Sequence, residues 1–197
     1  MRIGLYFGSF NPVHSGHLII ANHILNETRL ERIWFVVSPQ NPFKSDAQLL
    51  NEYHRLHLVR VATEDDPRIR ASDIEFSLPK PSYTVDTLTY LGEKHPEHEF
   101  SIIMGSDSFQ NLAKWKNYEV IVHNYRIYVY KRAGFEIGNS LNADLEIVDA
   151  PLLQISATLI RKWIREKKSI RYMVPDKVLD EIEKGGYYRI SKNKAEQ

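Results

Sequence analysis

The segment Gly8-Ser9-Phe10-Asn11-Pro12-Val13-His14-Ser15-Gly16-His17-Leu18 begins where the first apolar run of the chain, Ile3-Gly4-Leu5-Tyr6-Phe7, ends. Its glycine and its Asn-Pro pair predict a tight loop, and the apolar residues that follow recur at helical spacing. We therefore predict a strand, a loop and a helix that begins near Ser15. The first turn of such a helix exposes unpaired N–H groups at the positive end of its dipole, and His14 and His17 lie there. The segment is thus predicted to bind an anion.

Length, charge and composition indicate one globular domain of enzyme size. The chain has 197 residues, 26 lysines and arginines against 25 aspartates and glutamates, and no cysteine. A net charge of +1 gives no field that favours nucleic acid or an anionic membrane, and the absence of cysteine fits a reducing compartment. No apolar run approaches the roughly 18 residues of a spanning helix, and no signal-peptide pattern opens the chain. We therefore expect a cytoplasmic protein that binds neither nucleic acid nor membrane.

Strand-like and helix-like segments alternate along the chain, which predicts an α/β fold with a parallel sheet. We predict a single domain over residues 1–190, in which 151–190 form a helical C-terminal segment, and a frayed tail over 191–197. The predicted strands are residues 3–7, 32–37, 69–74, 100–104, 126–130 and 145–148.

The helices after the first are predicted from apolar periodicity and from their end signals. The second is predicted over 49–63, with Tyr53 on its apolar face. Arg55 and the other basic residues of this helix are predicted to lie largely on its outer face. A loop over 77–87 is expected to feed a third helix that ends at His95-Pro96. Two more helices are predicted near the end of the chain. One starts at the capping residue Ser156, and the other runs over 175–184, where two glycines end it.

Polar loops follow three of the predicted strands at their carboxyl ends, where open α/β sheets bind ligands. The first loop contains Gly8, the second contains Lys44, and the third is Gly105-Ser106-Asp107. The helix that starts at Ser156 adds a fourth group of polar residues, which ends with Arg161. Imidazole N–H groups, a lysine ammonium and an arginine fork all suit phosphate oxygens.

The Gly-Ser-Phe-Asn-Pro run with its His-x-Gly-His resembles the signature of the nucleotidylyltransferases, which join a phosphate or carboxylate to the α-phosphate of a nucleoside triphosphate. A second motif, residues 155–161, has the Ile-Ser-x-Thr-x-Ile-Arg pattern of the adenylyltransferases of NAD synthesis. With Pro42-x-Lys44, residues 82–87, Gly105-Ser106-Asp107 and Trp115, the whole chain resembles the bacterial nicotinate-mononucleotide adenylyltransferases. The resemblance implies a Rossmann-like, doubly wound sheet of the nucleotidylyltransferase type.

The same resemblance implies a role for each matching residue. Adenylyl transfer requires an in-line attack and positive charge where the pyrophosphate leaves, and it requires no protein nucleophile. Mg²⁺ is expected to bind mainly through the ATP phosphates, with no protein ligands assigned. The residues implied in catalysis are His14, His17, Lys44 and Arg161. Those implied in binding ATP and lining the dinucleotide cleft are Gly8, Ser9, Phe10, Asn11, Gly105, Asp107, Ser156 and Thr158. Those implied in the nicotinate pocket are Thr84, Thr87, Trp115 and Lys116.

The sequence departs from the family pattern at three places. Ala157 replaces a serine of the usual Ser-Ser-Thr, which removes one hydroxyl. Lys116 stands where an aromatic residue is common, and its cation would favour an acidic substrate. Pro42-Phe43-Lys44 is shorter than a common Pro-Pro-His-Lys, so the register of the lysine is less secure.

Each candidate residue also has an ordinary structural explanation. Lys44 alone would be surface charge, Ser156 and Thr158 would be capping residues, and Arg161 would belong to a solvated basic face. Trp115 would be a core residue, and the two threonines would be helix-start residues. A zinc site at His14 and His17 with His23 is disfavoured because the chain has no cysteine and no extended carboxylate cluster.

Two other functions stay open at the level of sequence. Phosphopantetheine adenylyltransferase shares the His-x-Gly-His cleft, although it is usually shorter and lacks the Thr84, Thr87 and Trp115 set. A non-catalytic nucleotide-sensing module would keep the Gly8 loop, but it could dispense with Lys44 and Arg161. A dehydrogenase and a kinase are disfavoured because their glycine-rich motifs are absent. Neither the oligomeric state nor the choice between acid and amide mononucleotide is decided.

Overall fold

A computed structural model describes residues 1–40, 49–132, 134–135, 137–151 and 154–189. Its centre is a six-stranded sheet in the order β3-β2-β1-β4-β5-β6, with all neighbouring strands parallel. The strands are β1 Arg2–Gly8, β2 Arg32–Val37, β3 Ile69–Ser72, β4 Glu99–Gly105, β5 Ile127–Tyr130 and β6 Leu145–Val148. The helices are α1 Ser15–Glu27, α2 Glu52–Thr63, α3 Thr84–Lys94, α4 Ser106–Phe109, α5 Tyr118–Asn124, α6 Ala157–Arg165 and α7 Asp176–Gly185, and the 3-10 turns are Ile74–Ser77 and Leu112–Lys114.

Helices cover both faces of the sheet, so the predicted doubly wound α/β fold is confirmed. Successive residues of a strand point to opposite faces, and β1 shows this division. Tyr6 packs into the cluster formed with α1, α2, α6 and α7, whereas Ile3 and Leu5 pack into the cluster formed with α3, α4 and α5. Because both faces are buried, the central strands need the continuous apolar runs that the sequence shows.

Three helix ends follow their predicted signals. The α1 helix begins at Ser15, and the backbone N–H of Leu159 donates to the Ser156 Oγ atom at the start of α6. At the other end of the chain, α7 stops where Gly186 adopts the left-handed conformation, with φ at 62°. None of the described helices is long and apolar enough to cross a membrane.

The second helix differs from its prediction in both its start and its faces. It begins at Glu52 rather than at residue 49, because the Asn51 Oδ1 atom accepts the N–H of Tyr53 and caps it. Tyr53, predicted on the apolar face, is 66% exposed, and Arg55, predicted on the outside, is fully buried. The prediction was wrong because periodicity counts an arginine as polar and cannot see the buried carbonyls that receive its guanidinium.

Two further boundaries moved by more than one residue. The third strand ends at Ser72, since Ile74 already belongs to a 3-10 turn. The α3 helix begins at Thr84, inside the segment predicted as a loop. Both changes lie at the carboxyl edge of the sheet, next to the predicted ligand site.

Candidate active site

A cleft of about 820 Å³ opens at the carboxyl edge of the sheet. Its walls come from the ends of β1 and β4, from the residues after β5, and from the first turns of α1, α3 and α6. Thr87 is not among its lining residues, and Lys44 lies outside the described residues. The other site residues predicted from the sequence all line it: Gly8, Ser9, Phe10, Asn11, His14, His17, Thr84, Gly105, Asp107, Trp115, Lys116, Ser156, Thr158 and Arg161.

The His17 ring is held in one orientation at the start of α1. The His14 backbone N–H donates to the His17 Nδ1 atom across 3.2 Å, and the two imidazole rings stack with their centroids 3.6 Å apart. A nitrogen that accepts a backbone N–H carries no proton itself, so the neutral His17 ring carries its hydrogen on Nε2. His17 is thereby fixed as a donor through Nε2 without having to become an imidazolium.

The His14 ring, which stacks on the His17 ring, is neutral. Its side chain is buried, and burial, reinforced by the positive charge of Arg132, lowers the pKa of His14 from 6.5 to about 4. At neutral pH this imidazole is therefore uncharged. The positive charge of the cleft comes instead from its arginines and lysines and from the helix ends.

Arg132 is a cleft residue that the sequence analysis did not identify. It follows β5 at the same edge as the other ligand loops, and this position is the signal that could have revealed it. Its Nη2 atom donates to the Tyr130 hydroxyl across 3.1 Å, its Nε atom lies 3.4 Å from Asp107 Oδ1, and its backbone N–H donates to the Ser106 Oγ atom. The guanidinium is thus anchored while it lines the cleft.

Gly105 is required by the close approach of these groups. A Cβ atom at this position would lie 2.5 Å from Asp107 Oδ1 and 2.9 Å from the Arg132 Nε atom. Any side chain here would therefore separate the carboxylate from the guanidinium or push both away from the strand end. Steric crowding thus explains why the first residue of the Gly105-Ser106-Asp107 motif is a glycine in this fold.

The C-terminal motif reaches the N-terminal loop through Arg161. Its Nη1 atom donates to the Asn11 carbonyl oxygen across 2.6 Å, and its Nη2 atom lies 3.4 Å from the Thr158 hydroxyl. Ser156 caps α6 at the same wall, so the first turn of α6 also faces the cleft. Two segments about 150 residues apart therefore form one positively charged wall.

Another part of the cleft lining is aromatic. Trp115, Tyr83 and Thr84 line it, and Lys116 lies beside them. The Lys116 ammonium lies 4.7 Å from the Tyr83 ring centroid and 2.9 Å and 3.1 Å from the two Asp86 carboxylate oxygens. The cation expected to attract an acidic substrate is therefore paired with a carboxylate in this structure.

Thr87 contacts a buried acid instead of the cleft. Its side chain is fully buried, and its hydroxyl donates to the Glu75 Oε1 atom across 3.0 Å. The Ser82 hydroxyl donates to the other Glu75 oxygen across 2.6 Å, and Glu75 itself lines the cleft. Burial raises the pKa of the Glu75 carboxyl. Glu75 thus holds the segment that leads to Thr84, a role that the sequence analysis missed because a single acid in a short 3-10 turn gives no periodic signal.

Arg55 joins the loops at the base of the cleft. Its guanidinium donates to the carbonyl oxygens of Leu50, Ser9, Ser38 and Pro39 across 2.6–2.9 Å. These carbonyls belong to the loop after β1, the loop after β2 and the residues before α2. One buried side chain therefore fixes the backbone on both sides of residues 41–48, where Lys44 occurs.

The fold and the cleft together define a nucleotidylyltransferase. The cytidylyltransferase-like family profile matches residues 5–163, most of the chain. A protein of Flavobacterium psychrophilum named "Probable nicotinate-nucleotide adenylyltransferase" is 50% identical over 192 residues, which cover 96% of this chain and 100% of that protein. A Cytophaga hutchinsonii protein of the same name is 51% identical over 191 residues, 95% of this chain and 98% of its own. The chain belongs to the nicotinate-nucleotide adenylyltransferase family.

Solved structures agree with the fold. The nicotinic acid mononucleotide adenylyltransferase of Plasmodium falciparum, solved in complex with NaAD, superimposes with a TM-score of 0.81 at 24% identity. The match covers 95% of this chain and 97% of the other. A second structure of that protein, complexed with APC, gives a TM-score of 0.80 at 23% identity. These structures confirm the fold, and the sequence relatives at 50% and 51% identity confirm the family predicted from the two sequence motifs.

Proposed function

We propose that this protein transfers the adenylyl group of ATP to nicotinate mononucleotide and so forms nicotinate adenine dinucleotide and pyrophosphate, a step of NAD biosynthesis. A phosphate oxygen of the mononucleotide attacks the α-phosphorus of ATP, a P–O bond forms, and the bond to pyrophosphate breaks. One observation carries the proposal: His17, Arg132 and Arg161 converge on a single cleft that also contains an aromatic wall at Trp115.

The phosphate chemistry is assigned to the positively charged half of the cleft. The protein does not need to form a covalent intermediate, because alignment of the reactants and charge stabilisation supply most of the rate enhancement in phosphoryl transfer. His17 would donate from Nε2 to a phosphate oxygen, and Arg161 with the first turn of α6 would hold the pyrophosphate as it leaves. Lys44 is proposed to act with Arg161, on the strength of the sequence motif alone.

The mononucleotide is assigned to the aromatic half. The Trp115 indole would stack on the pyridine ring, while Thr84 and nearby backbone N–H groups at the start of α3 would receive its carboxylate. Asp107 and Gly105 would meet ribose hydroxyls. Thr87 is assigned a supporting role through Glu75, since it does not line the cleft.

Mg²⁺ is proposed as the metal of the reaction, held through the ATP phosphates. The two acids that line the cleft are engaged by protein groups, because Asp107 pairs with Arg132 and Glu75 accepts two hydroxyls. This arrangement suits a hydrated ion carried by the nucleotide better than one held by a protein cage. When bound, the ion supplies neutralisation of the triphosphate charge.

A coupled assay of pyrophosphate release tests the proposal. Purified protein with ATP and Mg²⁺ should release pyrophosphate when nicotinate mononucleotide is added, and should release little with phosphopantetheine or without an acceptor. Release with phosphopantetheine alone would favour the rival adenylyltransferase. No release with any acceptor, together with ATP binding by calorimetry, would favour a nucleotide-sensing module.

A further inference from the structure

A turn at the far end of the molecule brings two imidazoles and a carboxylate together. The sequence His95-Pro96-Glu97-His98 connects α3 to β4. The turn precedes the first residue of β4, whereas the cleft lies at Gly105, the last residue of that strand. The cluster is therefore separated from the proposed active site by the length of the strand.

The potential ligand atoms of these three side chains already lie close together. One nitrogen from each imidazole and one Glu97 oxygen all lie within 4.8 Å of one another. The Glu97 Oε1 atom is 3.3 Å from His98 Nε2 and 3.7 Å from His95 Nδ1. In a tetrahedral site with metal–ligand bonds of about 2.0–2.1 Å, ligand atoms are about 3.4 Å apart, so small side-chain rotations would complete the set.

The turn is also held in shape before any ligand arrives. The His98 backbone N–H donates to the His95 carbonyl oxygen across 3.0 Å, and Pro96 restricts the backbone between them. Both imidazoles contact the buried Trp34 indole edge-on, at centroid distances of 5.9 Å for His95 and 6.4 Å for His98. The two rings are nearly parallel, with an angle of 9° between their planes.

The His98 ring shows which of its atoms would bind. Its side chain is only 12% exposed, and its Nδ1 atom is buried with no hydrogen-bond partner among the described residues. The Nε2 atom faces Glu97. Nε2 is thus the nitrogen available to an ion that approaches along the Glu97 side.

We propose that His95, Glu97 and His98 form a binding site for a divalent cation of the zinc class. Two imidazoles and one carboxylate suit Zn²⁺, with water in the fourth position, whereas Mg²⁺ and Ca²⁺ prefer oxygen ligands. The site is thus chemically distinct from the Mg²⁺ that ATP carries. A cation bound there would join the end of α3 to the start of β4 and raise the stability of the folded state by mass action.

Calorimetric titration of the untagged, metal-free protein with Zn²⁺ tests the site. We expect one ion per chain and an affinity at least ~10-fold weaker in His95→Ala and in His98→Ala, because even second-shell changes at metal sites cost roughly that much. His123→Ala, an exposed histidine on α5, is the matched control and should bind as the parent does. Binding that survives both turn variants, or no binding by the parent protein, would overturn the proposal.

Trp34 offers a second readout that identifies the location. Bound Cu²⁺ at the turn should quench the fluorescence of Trp34, and Trp34→Phe should remove most of that quenching while Trp115 and Trp163 remain. Quenching that persists in Trp34→Phe but disappears in His17→Ala would place the ion in the cleft and refute the turn site. If a histidine variant fails to fold, Glu97→Gln, at an exposed position, provides the same comparison. None of these measurements depends on adenylyl transfer.

Discussion

At the scale of single residues, His17 is the side chain whose chemistry the structure defines most narrowly. Because its Nδ1 atom accepts the His14 N–H, its Nε2–H can donate to phosphate oxygen as charge develops. Removing such a preorganised donor typically lowers turnover by roughly 100- to 1,000-fold. We expect His17→Ala to lower kcat by that factor with little change in KM for ATP, measured as pyrophosphate release.

The matched control for this variant is His23→Ala, on the same helix and outside the lining of the cleft. It should retain the kcat of the parent protein. A comparable loss in kcat and in ATP affinity for His17→Ala would indicate ground-state binding instead of a transition-state contact.

His14 gives the molecule a pH-dependent stability with a defined sign. Its pKa is about 4 in the folded protein and about 6.5 in the unfolded chain, so the unfolded chain binds more protons between these values. Stability is therefore fully present above about pH 6.5 and is lost as the pH falls towards 4. His14→Asn, which can cap a helix but cannot titrate, should show a smaller drop in the free energy of unfolding between pH 7 and pH 5. Urea titrations at the two pH values measure it, and an undiminished drop would contradict this assignment.

At the scale of elements, the start of α3 depends on a buried acid. Thr87→Val removes a hydroxyl donor from Glu75, and leaving a buried acceptor with one partner fewer typically costs about 1–3 kcal/mol. We expect that loss of stability in thermal or urea unfolding. Relative activity towards acid and amide mononucleotides should stay unchanged, because Thr87 does not line the cleft.

Thr89→Val is the matched control, since Thr89 lies on the same helix and its hydroxyl donates to the Val85 carbonyl oxygen at an exposed position. A surface change of this kind is expected to stay within about 0.5 kcal/mol. Thr87→Val could instead alter the ratio of activities with the acid and amide mononucleotides and leave stability unchanged. That result would support the direct contact between Thr87 and the nicotinate group that the sequence motif predicts.

The loops around α2 depend on Arg55. A lysine keeps the positive charge but cannot donate to carbonyls on several loops at once, so Arg55→Lys leaves buried carbonyl oxygens without donors. We expect a loss of at least about 2 kcal/mol in the free energy of unfolding, together with a reduced kcat. Arg60→Lys, whose parent side chain is exposed beside Asp73, is the control, and equal stability of the two variants would contradict the proposed role of Arg55.

The sequence predicts these elements unevenly, and the reasons are physical. Strand β2 was predicted to the residue because a buried parallel strand needs a continuous apolar run with clear ends. Arg55 and Glu75 could not be predicted, because a buried charge is recognised by the hydroxyls and carbonyls that receive it, and these come from distant loops. Arg132 was predictable only in part. Its position after β5 indicated that it lies at the ligand edge of the sheet, but nothing in the sequence indicated the orientation of its side chain.

At the scale of the whole molecule, both ends of the chain are needed for one cleft. The strand order places β1 beside β4, and the Arg161 guanidinium bonds to the loop after β1. A family motif can predict that the two segments meet, whereas local patterns cannot, because no local pattern determines which strands are neighbours. Two arginines, Arg132 and Arg161, line the cleft in a chain whose net charge is only +1.

That charge distribution bears on substrate choice. With a net charge of +1 the long-range field is weak, so any preference for the acid mononucleotide must come from contacts inside the cleft. A carboxylate offers only acceptors to the N–H groups near Thr84, whereas an amide brings donors that they cannot satisfy. Unsatisfied donors in a buried pocket cost about 1–3 kcal/mol, or roughly 5- to 150-fold.

We therefore expect nicotinate mononucleotide to exceed nicotinamide mononucleotide by at least about tenfold in kcat/KM, and the ratio to persist when ionic strength rises from about 0.1 M to about 1 M. Contacts sheltered from solvent are screened little over that range, whereas steering by surface charge is lost as the Debye length falls from about 10 Å to about 3 Å. Trp115→Ala should lower activity with both substrates alike, because stacking does not distinguish an acid from an amide. Side-by-side kinetics at fixed ATP and Mg²⁺ decide the matter. A ratio near one would refute the contact model of the pocket, and a ratio that collapses in salt would assign the preference to exposed charge, with Lys116 beside Asp86 as the first side chain to replace.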